Sequence, residues 1–360
     1  MADCTAAVIT EFESELQLWR VPIPELAPSS VLIRVDAATL CGTDAHRWQG
    51  HLNAKRPFVP GHETCGTIVD MRGELSDVVG EPLKVGDRII SSYPHCGHCY
   101  YCTVTRQTSL CPHVTIFGDS NPSALLGGCA EYHYFPPGGG LVRVPDEVSP
   151  PLAASAACAL RTVMHGFEQL GPLESHESVL ILGSGPLGLY TLAVARDRGA
   201  KKVLVIGAPE SRLAVARAWG ADDALDLDAT PDVNHRVAWV RENTDGRGAD
   251  IVFQCAASGV VAEGLDMARP GGRLVSIGVG GPPVTLSPMI FFKQVRISGV
   301  AMAEARHFYE AIDFLATRRK QFSFGQMISG TYTLDRTTEA LRKMAAFQEV
   351  KPLILPRLSS

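Results

Sequence analysis

Residues 178–188 read SVLILGSGPLG: a short apolar run that ends on Gly183, Gly185 and Gly188 in G-x-G-x-x-G spacing. The motif alone is common, so its neighbours decide the reading. A strand-like run precedes it and a helical stretch, PLGLYTLAVARDRG at 186–199, follows it. In that setting Gly183 permits a tight turn, Gly185 lets the backbone approach a pyrophosphate, and Gly188 packs the helix on the strand. Pro186 and Leu187 open the helix, whose unpaired N–H groups attract an anion. Working outward, apolar runs and helical stretches alternate from about 178 to 297: KKVLVIG, PESRLAVARAWG, ADIVFQC, VVAEGLDMARPG and GRLVSIGV. That alternation predicts an α/β domain, a parallel sheet covered by helices that binds a dinucleotide.

On either side of this region the pattern changes. Residues 1 to about 155 carry short β-type runs (VLIRVDAATL, ETCGTIVDM, DRIISSY) broken by Pro and Gly, which predicts an irregular, mostly β lobe. After about 300 come two amphipathic helical stretches, near 304–318 and 335–347, then VKPLILPR as a closing strand. With 360 residues, 46% of them hydrophobic and 20% charged, the chain can bury two cores. A net charge of -5 without a long Lys/Arg run gives no footprint for nucleic acid or an anionic membrane. The first residues lack a basic segment followed by an apolar one, and no stretch approaches eighteen uninterrupted apolar residues, so the expected compartment is the cytoplasm.

Reducing surroundings disfavour disulfides and turn attention to metal. Four of the ten cysteines, Cys96, Cys99, Cys102 and Cys111, fall within sixteen positions as C-x2-C-x2-C-x8-C. Four thiolates on one loop close a tetrahedral zinc site with no open position, which makes the site structural. A second set is dispersed: Cys41, Thr43, Asp44 and His46 in LCGTDAH, His62 and Glu63 in PGHETCG, and Cys158 and Thr162 in AACALRT. Cys4, Cys65, Cys129 and Cys255 belong to no motif and read as structural thiols.

Taken together, CGTDAH, GHE, VGDR, the four-cysteine loop, Cys158 and GSGPLG occur in an order that resembles the zinc-dependent medium-chain alcohol dehydrogenases, nearly end to end. The resemblance implies a groES-like catalytic domain at 1–158 carrying the structural zinc loop, a Rossmann domain at 159–297, and a C-terminal segment, 298–360, completing the catalytic domain. It implies two zinc ions per chain: one in the loop and a catalytic one on Cys41, His62 and Cys158, with the fourth position open for water or a substrate oxygen. Zinc lowers the pKa of a bound oxygen, toward about 7 for water in comparable sites. By the same resemblance Thr43 is the hydroxyl relay, His46 passes the proton toward solvent, Glu63 is a neighbour or occasional ligand, Asp44 orients the metal site, and Thr162 lies near the nicotinamide.

The implied reaction is hydride transfer between an alcohol, or its aldehyde or ketone, and NAD(P). Cofactor contacts are expected from Thr162, Gly183, Gly185, Pro186, Leu187, Gly188, Gly207, Ser211, Arg212, Gly278 and Val279. An acid is expected about twenty positions past the glycine motif in NAD-binding folds. Gly207 stands there, and Ser211 and Arg212 could hold a 2′-phosphate, which favours NADP(H), although Glu210 opposes it. Trp48, Leu52, Ser92 and Tyr93 are expected to border the substrate. A homodimer or homotetramer is implied, with no nucleic-acid or membrane partner.

Three departures from the family pattern stand out. The Cys102–Cys111 segment is one residue longer than usual, a glycine is displaced to Gly73, and Gly42 replaces a basic residue found in some relatives. The alternatives left open are a polyol or threonine dehydrogenase, which usually carries glutamate where Cys158 stands, a zinc-free quinone or enoyl reductase, and a catalytically silent zinc-binding relative.

Overall fold

A computed structural model of the chain describes residues 3–52, 54–281, 283–288 and 290–357. Compactness divides it into two units, one formed by 1–161, 303–319 and 324–360, the other by 162–302 and 320–323.

The second unit is a six-stranded parallel sheet. Its order across the sheet is Asp223–Asp226, Lys202–Gly207, Ser178–Leu182, Ala249–Gln254, Ala268–Ser276, Arg296–Gly299. Numbered along the chain this is 3-2-1-4-5-6, the doubly wound Rossmann order, whose reversal point lies beside the first strand. All five residues of Ser178–Leu182 are buried, as expected of a strand covered on both faces. Leu180, Leu182, Leu204, Ile206, Val252 and Leu274 belong to one buried cluster on this sheet. The chain leaves the first strand at Gly183, whose φ of 116° is closed to L side chains. It enters the helix Pro186–Asp197 with Gly185 as N-cap. A Cβ on Gly188 would stand 1.8 Å from the Gly183 carbonyl oxygen, so this close helix–strand approach requires glycine.

The first unit is built on a seven-stranded sheet. Ile328–Tyr332, Lys351–Ile354, Val31–Thr39, Glu63–Met71, Arg88–Ser91 and Leu141–Arg143 follow one another across it, and Tyr132–Phe135 also pairs with Val31–Thr39. The predicted run ETCGTIVDM forms a strand over its full length. The two C-terminal helical stretches form Ala305–Arg318 and Thr337–Ala345. VKPLILPR supplies the strand Lys351–Ile354, which adds to the first unit's sheet from the far end of the chain. Two registers position the site: Thr39 pairs with Glu63, and Leu353 pairs with Thr39. Trp48, in a segment expected to border the cleft, packs in this unit's core and donates Nε1–H to the Ser14 carbonyl. Its large apolar surface is worth more buried than lining a wet cleft.

Candidate active site

The loop cluster is assembled by local turns. Cys99 caps the short helix Tyr100–Thr103, which carries Cys102, and the turn Thr108–Leu110 delivers Cys111. The Sγ–Sγ separations are 4.0 Å for Cys96–Cys102, 3.5 Å for Cys99–Cys102, 3.8 Å for Cys99–Cys111 and 3.6 Å for Cys96–Cys111. A tetrahedron with Zn–S bonds of about 2.3 Å has S–S edges of about 3.8 Å, so these thiols fit zinc. The separations are far too long for a disulfide, and all four cysteines are free. The backbone N–H of His98, chiefly, draws the Cys96 thiol down to about 6, which favours the thiolate a metal needs. Thr108 and Ser109 of this loop sit against Glu304, the N-cap of Ala305–Arg318. Its carboxylate accepts from Ser109 N at 3.1 Å, from Ser109 Oγ at 2.6 Å and from the Thr108 hydroxyl.

In the second cluster, Cys41, His62, Glu63 and Cys158 offer ligand atoms that all lie within 4.8 Å of one another. Cys41 caps the helix Gly42–Trp48, His62 and Glu63 begin the strand Glu63–Met71, and Cys158 sits in a π-helical turn, Ala156–Leu160. Cys41 Sγ is 3.3 Å from His62 Nε2. Tetrahedral zinc with one sulfur and one nitrogen ligand spaces them by about 3.6 Å, so this set also fits the ion.

Asp44 organises the set. Its fully buried carboxylate accepts from Cys41 N at 3.0 Å and Gly61 N at 3.2 Å, and lies 3.1 Å from His62 Nδ1. A carboxylate there keeps the proton on Nδ1 and leaves the Nε2 lone pair facing the thiols. Burial opposes charge on His62, but Asp44 and the Cys41 thiolate outweigh it and hold its pKa well above the usual range. Cys41 is held well below the thiol range by a hydrogen bond from Cys158, whose own pKa rises in consequence. Metal binding would displace both the proton shared between the two cysteines and the one that the raised pKa keeps on His62 Nε2.

Two residues that the sequence reading missed, Lys351 and Thr39, complete this site around Glu63. Lys351 and Glu63, both fully buried, form an ion pair at 2.5 Å, and Thr39 donates its hydroxyl to the other Glu63 oxygen at 2.5 Å. Burial pushes the Glu63 carboxyl up to about 7, against the opposing pull of Lys351. Lys351 follows Cys41 by more than three hundred positions, and VKPLIL reads only as a strand. Its one signal was a lysine at the head of an otherwise apolar run.

Thr43 and His46 lie at i, i+3 on Gly42–Trp48, on one helix face. Thr43 N donates to Cys41 Sγ at 3.3 Å, and His46 Nδ1 is buried without a hydrogen-bond partner. Gly42 has open space around its Cβ position, so nothing in the packing excludes a side chain there. Tyr93 makes an edge contact with Phe117, and burial raises its hydroxyl pKa, while His62 and Arg161 pull it down. The Ser92 hydroxyl accepts from Gly140 N at 2.8 Å.

In the second unit the expected cofactor residues gather at the C-terminal ends of the strands. Gly183 and Gly185 form the first turn, with Pro186, Leu187 and Gly188 opening the helix. A Cβ on Gly207 would stand 2.5 Å from Ser184 Oγ and 2.8 Å from Ser184 N, so Ser184 crowds any side chain at this position. Arg212 is buried and its Nη1 lies 4.0 Å from the Cβ position of Gly185. Ser211 is exposed, and Glu210, which opposed an NADP assignment, is ion-paired with Arg217 on its own helix. Gly278 N donates to the Gln254 carbonyl at 3.0 Å, and Val279 is exposed. Thr162 is buried at the start of Arg161–Leu170.

Residues 27–146 match the alcohol dehydrogenase GroES-like domain and residues 186–317 the zinc-binding dehydrogenase domain. 5-exo-Hydroxycamphor dehydrogenase of Pseudomonas putida is 31% identical over 97% of this chain and 98% of its own. The chain belongs to the zinc-dependent medium-chain dehydrogenase superfamily. An alcohol dehydrogenase from Thermotoga maritima superposes with a TM-score of 0.92 at 28% identity, covering 99% of this chain and all of that one. A zinc-binding dehydrogenase from Sinorhizobium meliloti, bound to NADP, superposes at 0.86 with 28% identity and the same coverage. This medium-chain dehydrogenase is therefore a zinc-dependent oxidoreductase that uses a nicotinamide cofactor. Among the described residues no helix is long and apolar enough to cross a membrane.

Proposed function

We propose that this chain is an NADP(H)-preferring alcohol dehydrogenase with two zinc ions, in which Cys41, His62 and Cys158 hold the catalytic ion and the four-cysteine loop holds a structural one. The observation that carries this reading is the Asp44-oriented cluster of two thiols and an imidazole, with Glu63 drawn to Lys351 and so leaving a ligand position free. Zinc bound there supplies a Lewis acid that polarises the substrate oxygen. Asp44 holds the His62 tautomer, and Lys351 with Thr39 holds Glu63. During alcohol oxidation the substrate hydroxyl gives its proton to Thr43 as Thr43 gives its own to His46, while hydride leaves the carbinol carbon for the nicotinamide. Carbonyl reduction reverses each transfer.

The NADP(H) preference is supported by Ser184 crowding any side chain at position 207, by Glu210 being engaged with Arg217, and by the buried Arg212 beside the glycine motif. A homo-oligomer is supported by the edge strand Arg296–Gly299, where Ile297 is 46% exposed beside Phe291 and Phe292, each 79% exposed. The reducing cytoplasm suits ten free thiols.

The test is zinc analysis together with kcat/KM for NADP+ and NAD+. Two zinc ions per chain are expected, and Arg212→Ala should shift the cofactor ratio toward NAD+ by about tenfold, as loss of one charge-assisted hydrogen bond predicts. A wild type that prefers NAD+ and is indifferent to Arg212 overturns the cofactor assignment. Gly207→Asp is a poor test, because its side chain would collide with Ser184 backbone.

A further inference from the structure

Arg161 stands three residues beyond Cys158 and is 3% exposed. Its guanidinium lies 5.5 Å from the Tyr93 ring centroid and 5.4 Å from that of Phe308, with Nε donating to the Ala157 carbonyl at 3.2 Å. Nη1 is buried and has no hydrogen-bond partner. Guanidinium stays charged in proteins, and a buried charge is ordinarily paired. The buried acids of the ligand cluster are engaged elsewhere: Glu63 with Lys351 and Thr39, and Asp44 with Cys41 N, Gly61 N and His62. Of the other buried cations, Lys351 is paired with Glu63, and Arg47 donates to the carbonyls of Phe117 and Gly118, both at 3.1 Å. Arg161, in contrast to Arg47, keeps a buried Nη1 with nothing to receive its hydrogens.

We propose that Arg161 recognises an oxyanion, a carboxylate or a phosphate ester, carried by the substrate a few carbons from its reacting hydroxyl. The inference deepens the dehydrogenase reading and rests on it. Arg161 follows Cys158 by three residues, at the junction of the π-helical turn Ala156–Leu160 with the helix Arg161–Leu170. The Tyr93 ring, 5.5 Å from the guanidinium, belongs to a residue whose hydroxyl also feels the charges of His62 and Cys158. Its ring and that of Phe308 flank the cation with apolar surface, which suits the carbons joining an anion to a hydroxyl. The planar fork presents two N–H groups to one oxyanion, a geometry lysine lacks.

The experiment measures kcat/KM of the zinc-loaded enzyme for matched pairs: 3-hydroxybutyrate against its methyl ester, and glycerol 3-phosphate against glycerol. The anionic member of one pair should exceed its neutral partner by at least tenfold, and the pair that does so tells carboxylate from phosphate. Arg161→Met should collapse that ratio by tenfold or more, and Arg161→Lys should lower it several-fold. Should Arg161→Met not fold, the lysine variant must also weaken competitive inhibition of neutral-alcohol turnover by butyrate or inorganic phosphate. Turnover with no anion preference, or a preference that survives loss of the guanidinium, overturns the inference alone. No turnover of these or simple neutral alcohols by zinc-loaded enzyme overturns the underlying dehydrogenase reading instead.

Discussion

The loop cluster takes its four thiols from sixteen neighbouring positions, while Cys41, His62, Glu63 and Cys158 arrive from three distant segments and lean on Lys351 near the far end of the chain. In the loop, backbone turns alone bring the sulfurs to zinc-like spacing. In the second cluster nothing local fixes the spacing, so Asp44 ties two ligand segments together and an ion pair positions the fourth group. The comparison teaches that a closed site can be encoded by spacing, whereas an open one needs support from the surrounding fold, because an open ligand position gives the metal one fewer protein bond with which to organise its own shell.

The comparison breaks most sharply under mutation of ligands. His62→Ala or Cys158→Ala should lower kcat by about 10⁴-fold or more with little change in melting temperature, because the unit that holds them has its own buried core. Cys111→Ser should remove one zinc and lower the melting temperature by roughly 10 °C, since structural metal contributes folding free energy directly. Zinc analysis, steady-state kinetics and calorimetry check both, and equal thermal losses in all three variants would erase the distinction between the clusters.

A smaller effect probes the proton path beside the open site. His46→Gln should keep zinc and cofactor binding yet slow alcohol oxidation near neutral pH by up to about 10²-fold, the low end for general acid–base assistance, with partial recovery at higher pH as hydroxide takes over. The pH profile of kcat is the measurement, and an unchanged profile removes His46 from the relay. The corresponding probe of the loop is Glu304→Ala, which strips Ser109 and Thr108 of their acceptor. Hydrogen bonds to a charged group are worth about 1.5–3 kcal/mol each, and with partial solvent compensation a net loss of about 2 kcal/mol is expected in chemical unfolding, with kcat nearly unchanged.

The smallest effect separates the surroundings of the two clusters by acid. His133 is fully buried, its Nδ1 is 3.2 Å from the hydroxyl of Thr64, next to Glu63, and its Nε2 has no partner. Burial pushes its pKa down to about 3. Unfolded chain takes up this proton near pH 6.5, while folded chain refuses it until about pH 3. Stability present at neutral pH is therefore lost as pH falls through that window, by about 2 kcal/mol between pH 7.5 and 5. His133→Leu should remove this slope, as read from urea midpoints at the two pH values, while zinc in the loop stays bound. An acid slope equal to that of wild type would assign the loss to other groups.

How much was legible beforehand follows the same division. The alternation around GSGPLG implied the parallel sheet because both strand burial and glycine contacts are near-neighbour effects, and the loop thiols were legible for the same reason. The dispersed ligands were named only through family resemblance, since isolated Cys and His residues have ordinary buried roles. The core packing of Trp48 was not legible, because an aromatic near a site is as consistent with a core as with a cleft until its neighbours are known. Lys351 left almost no signal: its partner lies 288 positions away.

By itself, then, the amino-acid sequence determined the local geometry: the glycine turn into Pro186–Asp197, the buried strand before it, and four thiols at turn spacing. Tertiary structure decided which charges meet. Strand pairing of Glu63 with Thr39 and of Thr39 with Leu353 brought a lysine onto a buried glutamate, and the closing of Gly207 against Ser184 removed the space for an acid. The same packing left Arg161 buried without a carboxylate. Electrostatic partners are set by distance in space, which a linear order fixes only within a turn or two, and a buried charge without a partner is visible only once every neighbour has been placed.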